Sequence, residues 1–375
     1  MMYNKELLNK RINEFDNYND KIYEKNIDIK ELYIFHKTVL DVSKNSDFII
    51  KGSRAAEATL PVNIYKNNDI LYSDYDIIST TPLEDLKKIA EELNKNGITN
   101  IKITNIIFKL DIFRLSIYNI PLIDIEQIEP KIFDKISYIV LNDIKYVDPD
   151  YWKIDLYSML SRPVYINVKN WKKTLNRINI VEKHCKYNNN KTKSILKNHT
   201  NIIEEIVNKL NNNILITGSY AYSKLVNKID IPYLELLTTN YKKDVSNMKN
   251  ILNSYSKNIK LETNEKYLYM MGYNTVFYLD DDPICIIYNI DLCTSYVNID
   301  NKKYTNLYFL KFYFNFLKYS YYEFIDSMSY YNYLLSTINI KDLPSLNCIG
   351  DINPGIKEYL EFVSKHKDKK LIIQY

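Results

Sequence analysis

Cysteine is sparse and poorly placed for any familiar use. The four, Cys185, Cys285, Cys293 and Cys348, show no Cys-x-x-Cys or metal-ligand spacing. That argues against a zinc site or a disulfide framework and for a reducing, intracellular compartment. Histidine is equally thin: His36, His184, His199 and His366 stand far apart and read as surface or core residues rather than ligands. Glycine numbers only 6 in 375 residues, and no Gly-x-Ser-x-Gly elbow frames Ser53 or Ser219, which excludes a serine hydrolase. No apolar stretch approaches the roughly 18 residues of a membrane span. The start, Met1-Met-Tyr-Asn-Lys-Glu-Leu7, lacks the apolar core of a signal peptide. Charge is nearly balanced, 50 Lys+Arg against 46 Asp+Glu, which permits a basic groove for nucleic acid without arguing for one. What is plentiful is tyrosine, 36 residues, with Ile, Asn and Lys. This bias has the look of an AT-rich genome, so the Asn and Lys runs carry little functional information.

Against that background one short run stands out. In Leu71-Tyr-Ser-Asp74-Tyr-Asp76-Ile-Ile-Ser79 two carboxylates lie two residues apart on an expected strand, Ile70 to Ser79. Side chains alternate along a strand, so both project from one face. A half-buried like-charged pair repels itself unless a cation neutralises it. Upstream, Lys51-Gly52-Ser53-Arg54 follows the apolar strand Phe48 to Ile50 and precedes a short helix over 54–60. Strand, Gly-Ser turn and helix start make an anion site, with backbone N–H groups facing a phosphate. A helix over Pro82 to Lys95 is framed by Thr81 as N-cap and Gly97 as stop. Strands Ile101 to Tyr118 and Leu122 to Gln127 come next, and residues 131–210 give helical signals. A lone Gly-Ser pair or a lone Asp-x-Asp is ordinary turn or strand-edge chemistry; the two in this order are not.

The pattern then recurs about 160 residues on. Asn213-Ile-Leu-Ile-Thr-Gly218-Ser219 parallels Phe48-Ile-Ile-Lys-Gly52-Ser53, and Pro232-Tyr233-Leu-Glu235 can be laid on Ser73-Asp74-Tyr-Asp76. The second copy thus has Tyr233 for Asp74 and Glu235 for Asp76, and has lost one member of the pair. The strand Ile284 to Cys293, with Asp291, is laid on Pro121-Leu-Ile-Asp124-Ile. We expect an α+β protein of tandem αβ units, the first catalytic and the second degenerate, with flanking helices. The expected parts are a helical segment 1–46, a catalytic domain 47–210 and a degenerate domain 211–375. Within the last, Tyr304 to Asn339 reads as buried helix, and the basic tail Ser364 to Lys370 as a solvated end.

A phosphate cradle beside paired carboxylates is equipment for nucleotidyl transfer, in which two divalent cations lower the pKa of an attacking hydroxyl and stabilise the leaving oxygens. A third carboxylate usually completes such a site. Asp124 is the candidate, because its strand can lie beside Asp74 and Asp76 and the second copy has Asp291 in a similar setting. Asp111 is the rival, and Glu126 shares the face of Asp124.

Gly52-Ser53, Asp74-x-Asp76 and Asp124 together resemble the nucleotidyltransferase superfamily of DNA polymerase beta, which includes poly(A) polymerases and CCA-adding enzymes. The stretch Trp152-Lys-Ile-Asp-Leu-Tyr-Ser-Met-Leu-Ser-Arg162-Pro, then Trp171-Lys172-Lys173-Thr-Leu-Asn-Arg177, is similar to poly(A) polymerases of large DNA viruses, of poxvirus and giant mimivirus-like type. This resemblance implies template-independent addition of AMP from ATP to an RNA 3′ end. Carried over by position, Asp74, Asp76 and Asp124 would hold Mg²⁺ or Mn²⁺ and perform catalysis. Gly52 and Ser53 would hold the triphosphate, and Arg162, Lys172, Lys173 and Arg177 would contact phosphate or RNA. It also implies a home in the host cytoplasm or the virion and a homodimer through the second unit. Two other readings stay open: transfer to another acceptor (a small molecule, a protein or a tRNA end), and a non-catalytic RNA-binding subunit. The intact Asp74/Asp76 pair argues against the second of these.

Overall fold

The computed structural model describes residues 27–65, 67–105, 112–163, 165–264, 271–290, 292–320, 327–350 and 371–374. The first half of the 1–46 segment, Asp111, Asp291 and the 364–370 tail therefore lie outside the described residues.

The chain forms two compact units, one within Asn4–Trp152 and the other from Lys153–Glu182 and Lys186–Pro354. In the first, the strands are β1 (Ile49–Lys51), β2 (Tyr75–Ser79), β3 (Ile101–Asn105), β4 (Ile112–Ile117), β5 (Ile120–Gln127), β6 (Tyr138–Leu141) and β7 (Ile144–Val147). In the second they are β8 (Leu215–Thr217), β9 (Leu234–Thr238), β10 (Ile259–Asn264), β11 (Asn274–Leu279), β12 (Asp282–Asn289), β13 (Thr294–Ile299) and β14 (Lys302–Thr305). The first sheet runs β3-β4-β5-β2-β1-β7-β6 and the second β10-β11-β12-β9-β8-β14-β13. Adding seven to each label of the first gives the second. The senses repeat too: β1·β2 and β8·β9 are antiparallel, while β2·β5 and β9·β12, and β1·β7 and β8·β14, are parallel. The tandem repeat is therefore a repeat of topology. One strand extends each sheet: β15 (Cys348–Ile349) joins β13, and β16 (Leu371–Gln374) joins β3.

In the first unit the helices α1 (Ile29–Ser43), α2 (Gly52–Thr59) and α3 (Pro82–Lys95) include two that cover one face of the sheet. Leu32, Phe35 and Val39 of α1 and Leu86, Ile89, Ala90 and Leu93 of α3 pack on Tyr75, Ile77, Leu115, Ile123 and Ile125. Each large apolar side chain so buried contributes about 1.5–3 kcal/mol. Alternation sends Asp76 and Asp124 to the opposite face. The N-terminus of α3 is fastened by Ser79, whose Oγ donates to Asp85 and accepts from the Thr81 N–H at 2.8 Å. Thr238 makes the same two bonds with Asp244 and Asn240 in the second unit, at the start of the helix Tyr241–Leu252. The intervening helices are α4 (Pro130–Phe133), α5 (Pro149–Ser161), α6 (Tyr165–His184), α7 (Thr200–Lys209), α8 (Gly218–Leu225) and α9 (Tyr241–Leu252); α10 (Leu307–Lys318) and α11 (Met328–Thr337) follow. From Tyr308 to Lys318 every residue of α10 is buried, as the sequence pattern led us to expect.

Three sequence readings need correction. Residues 70–72, read as the start of a strand, belong to a 3₁₀ turn over Asn67–Tyr72. The hairpin β6–β7 sits where only helical signals were read, because Tyr138-Ile-Val-Leu141 lacks a two-residue alternation. Cys293 and Cys348, whose spacing argued against a framework, form a disulfide with Cα atoms 5.4 Å apart, fastening β15 to the start of β13.

Scarce glycine leaves its mark on the turns. Four two-residue hairpin loops, Tyr118-Asn119, Asn142-Asp143, Asp280-Asp281 and Asp300-Asn301, have positive φ at both positions. That is the type I′ requirement, met here mainly by Asn and Asp, whose short polar side chains tolerate the left-handed region. Asp143→Gly should therefore raise stability in urea by a few tenths to about 1 kcal/mol; a loss of stability would show that the Asp143 side chain is needed in the turn.

Candidate active site

β1 delivers Lys51 and then turns through Gly52, whose φ of +72° favours glycine, into α2. The second demand on Gly52 is space. A Cβ there would lie 2.5 Å from Oδ2 of Asp76. The carboxylate of Asp76 thus sits over the Gly-Ser turn, at the N-terminal end of α2, as a metal-phosphate site requires.

Cross-strand register puts four charged residues in one row: Lys51 opposite Asp76, Asp76 opposite Asp124, and Asp124 opposite Arg114. Asp74 is the exposed residue just before β2, while Asp76 and Asp124 are half-buried. Arg114 grips Asp124 with both prongs, Nε to Oδ1 and Nη2 to Oδ2 at 2.7 Å each. Lys51, nearly buried, pairs with Glu126 at 2.7 Å. Among the described residues no three His, Cys, Asp or Glu side chains converge as a preformed metal cage. The donor set nevertheless suits a hard divalent ion: carboxylate oxygens on neighbouring parallel strands, one of them pressed on a glycine.

Arg54 fixes the approach to Asp74. From α2 its Nη2 donates to the carbonyls of Ile70 (2.8 Å) and Ser73 (2.6 Å), and its Nε to that of Asp74 (3.1 Å). The guanidinium lies 3.9 Å from the centre of the Tyr75 ring. His36 closes this cluster, with Nε2 2.8 Å from the carbonyl of Leu71 and Nδ1 3.3 Å from the Tyr75 hydroxyl. Burial, reinforced by the Arg54 charge, holds the His36 pKa down to about 4. Ser53 hydrogen-bonds the Tyr65 hydroxyl. Sequence reading gave no role to Arg54, Lys51 or Arg114; the available signal was a lone cation inside an apolar strand at Phe113-Arg114-Leu115.

The remaining predicted contacts lie in the second unit. Arg162 is buried in that unit, 4.6 Å from the Phe312 ring centre and donating to Ser158 Oγ at 3.2 Å. Lys172 and Lys173 are exposed on α6 and Arg177 is half-exposed.

In the second copy the same row reads Thr217, Glu235, Ile286 and Val276. Asp124 therefore corresponds to Ile286, which overturns its alignment with Asp291. Glu235, fully buried, reaches one methylene further than Asp76 and accepts the Ser219 N–H at 3.1 Å. A Cβ on Gly218 would fall 2.0 Å from its carboxyl carbon. Burial pushes the Glu235 pKa well above the carboxylate range, favouring the neutral acid. Tyr233, Tyr288, Tyr313 and Tyr331, each fully buried, fill the surroundings and join hydroxyls in pairs. The second cradle is filled from within.

Residues 37–166 match the family model of the poly(A) polymerase catalytic subunit. A protein of Acanthamoeba polyphaga mimivirus described as a poly(A) polymerase catalytic subunit is 24% identical over 281 residues, 64% of this chain and 48% of that one. The polyadenylate synthase of Megavirus superposes with a TM-score of 0.77 at 18% identity, over 99% of this chain and 85% of that one. Residues 37–166 are thus similar to the catalytic subunit of poly(A) polymerases. It spans about half the length of the mimivirus relative it matches. The poly(A) polymerase match takes in Gly52, Ser53, Asp74, Asp76, Arg114 and Asp124, and ends before the second sheet begins. The Megavirus likeness, at its low identity, speaks for the fold of both units.

Gly52→Ala should displace Asp76 and, on the function proposed below, lower nucleotidyl transfer at least a hundredfold with modest destabilisation, whereas Gly218→Ala, set against a wholly buried Glu235, should cost about 3 kcal/mol or more of stability. Equal stability loss in both would show that the two carboxyls are equally free to move. His36 is neutral when folded but takes a proton below its ordinary 6.5 when unfolded, so stability should fall as pH drops from 6.5 towards 4. The loss is on the order of 2–3 kcal/mol, and His36→Gln should flatten that part of the profile in pH-resolved urea melts.

Proposed function

We propose that the first unit is a template-independent poly(A) polymerase, transferring AMP from ATP to the 3′ end of RNA. The observation that supports it most is the register of Asp76 with Asp124 beside the Gly52-Ser53 turn, within the segment matched by the poly(A) polymerase family. Gly52 and Ser53 offer N–H groups at the start of α2 to the triphosphate. Asp74, Asp76 and Asp124 hold the cation. A bound Mg²⁺ or Mn²⁺ would neutralise charge at the α-phosphate and lower the pKa of the attacking hydroxyl. Asp124 orients the primer's 3′-hydroxyl and accepts its proton. Lys51 and Arg114 flank the row and offset the repulsion among its carboxylates. Arg54 holds the backbone that carries Asp74. Lys172, Lys173 and Arg177 contact RNA. The second unit, its cradle filled by Glu235, supports rather than catalyses, and a second copy of the chain is its partner. Among the described residues no helix is long and apolar enough to cross a membrane.

Extension of a short 3′-hydroxyl RNA with each nucleoside triphosphate tests this directly. ATP with Mg²⁺ or Mn²⁺ should give ladders that chelation abolishes and that Asp76→Asn lowers at least a thousandfold. Ladders with every nucleotide would discard the poly(A) assignment. Labelling of a protein, small molecule or tRNA end in place of RNA would move the activity to another acceptor. RNA binding without any incorporation would leave a binding subunit.

A further inference from the structure

Charge is nearly balanced overall but not along the chain. Residues 165–200 hold nine Lys or Arg and a single acid, Glu182, so the rest of the chain keeps 41 Lys+Arg against 45 Asp+Glu. One tenth of the sequence thus carries a net charge of +8, and the remainder −4. Glu182 is engaged inward: it accepts from Lys311 at 2.5 Å and from the Tyr157 hydroxyl. No other carboxylate in the segment offsets its lysines.

The geometry shows how those lysines are presented. α6 exposes Lys172 and Lys173, and residues 185–199 that follow have neither helix nor strand. Stretches of this length without regular structure are uncommon in compact domains and are often functional. This one is fastened at both ends. At its root the Tyr187 hydroxyl accepts a hydrogen bond from Asn315 at 2.9 Å, and its ring centre lies 3.6 Å from Lys153 Nζ. At its far end Lys197 pairs with Asp282 at 2.6 Å, and the His199 N–H donates to the carbonyl of Ile231 at 2.8 Å. Lys186 next to the first fastening, and Lys191 and Lys193 between the two, are exposed, with Asn188, Asn189 and Asn190 beside them.

We propose that the segment Lys186–Lys193, together with the Lys172/Lys173 face of α6, is a strap that grips single-stranded RNA by its phosphates. This rests on the polymerase reading above and names the surface that holds its acceptor. A template-independent enzyme needs a grip that ignores base identity, which lysine on phosphate provides. Pinned ends lower the ordering cost of binding. The net negative remainder of the chain directs a polyanion to this strip. The segment lacks the amphipathic helix that a membrane surface would call for.

The test is anisotropy of a labelled single-stranded RNA across a salt series, with metal and ATP absent. Lys186, Lys191 and Lys193 are changed together to Glu, and Lys242, Lys243 and Lys249, exposed on α9, are changed likewise as a charge-matched control. Each lysine lost from phosphate contact should lower the slope of log K against log salt by about 0.7, so the strap variant should lose about 2. Its KM for RNA should rise about tenfold or more, with kcat at saturating RNA and KM for ATP unchanged, and the control should match the wild type. An unmoved slope, an equal drop in both variants, or binding of phosphatidylserine vesicles in preference to RNA would each overturn the strap. A wild-type chain that extends RNA while the strap variant binds normally loses only this surface; a wild-type chain that binds no RNA loses the polymerase reading as well.

Discussion

Two aspartates held side by side on parallel strands are the constraint around which the first unit is organised. Neighbouring strands are only about 4.8 Å apart, so Asp76 and Asp124 repel each other at a distance that water alone relieves only partly. The sheet answers with a cation on either side, Lys51 on β1 and Arg114 on β4. A slip of one residue would send every member of the row to the opposite face. What prevents the slip lies behind the row, where Ile77, Ile123 and Ile125 are locked under α1 and α3. The core sets the register and the register sets the chemistry. Gly52 belongs to the same constraint, since only glycine leaves room for Asp76 over the turn.

The second unit shows the fold without that constraint. Every strand keeps its order and sense, the Ser/Thr-Asp fastening ahead of the helix is kept, and both two-residue hairpins recur. Only the row differs. With Ile286 and Val276 in place of Asp124 and Arg114, the row offers a cation no second carboxylate, and Glu235 turns onto the helix start that a phosphate would otherwise face. A neutral acid with an N–H partner is compatible with a dry interior, whereas a carboxylate pair is not. The space beside it fills with tyrosine. Topology and chemistry are thus separable in this architecture, because back-face packing and hairpin turns specify one and a single cross-strand row specifies the other.

Much of this was legible in the residues. The Gly-Ser turns, the Asp-x-Asp and the helix Pro82–Lys95 each rest on local rules, and each local rule has one physical solution. The equivalence of Glu235 with Asp76 also came through, because each stands in the apolar strand that follows a Gly-Ser turn. The equivalent of Asp124 did not, because distance along the chain says nothing about register across strands, and the intervening segments differ in length. Arg114 and Arg54 were hidden for the same reason: their roles consist of partners 10 and 16–20 residues away. The β6–β7 hairpin escaped because its turn, Asn142-Asp143, lacks the glycine that usually announces a type I′ loop. The burial of Arg162 was not legible either, since its guanidinium lies against an aromatic ring far along the chain.

The ion pairs made by the two cations of the row differ in what they permit. Lys51 and Glu126 are 9% and 4% exposed, and breaking such a pair strands a charge in the interior at a cost of about 3–5 kcal/mol. Arg114 and Asp124 are 31% and 23% exposed, where solvent screens the pair and its opening costs about 1 kcal/mol. Only the second is within reach of competition from a divalent ion and a triphosphate. Lys51 is therefore the fixed counter-charge that lets Asp76 sit beside the Gly-Ser turn at all times. On the proposed reading Arg114 is the exchangeable one, holding Asp124 in orientation without substrate and yielding its oxygens when stronger charge arrives. A row built from two buried pairs would be too tight to load, and one built from two exposed pairs too loose to keep its carboxylates aligned.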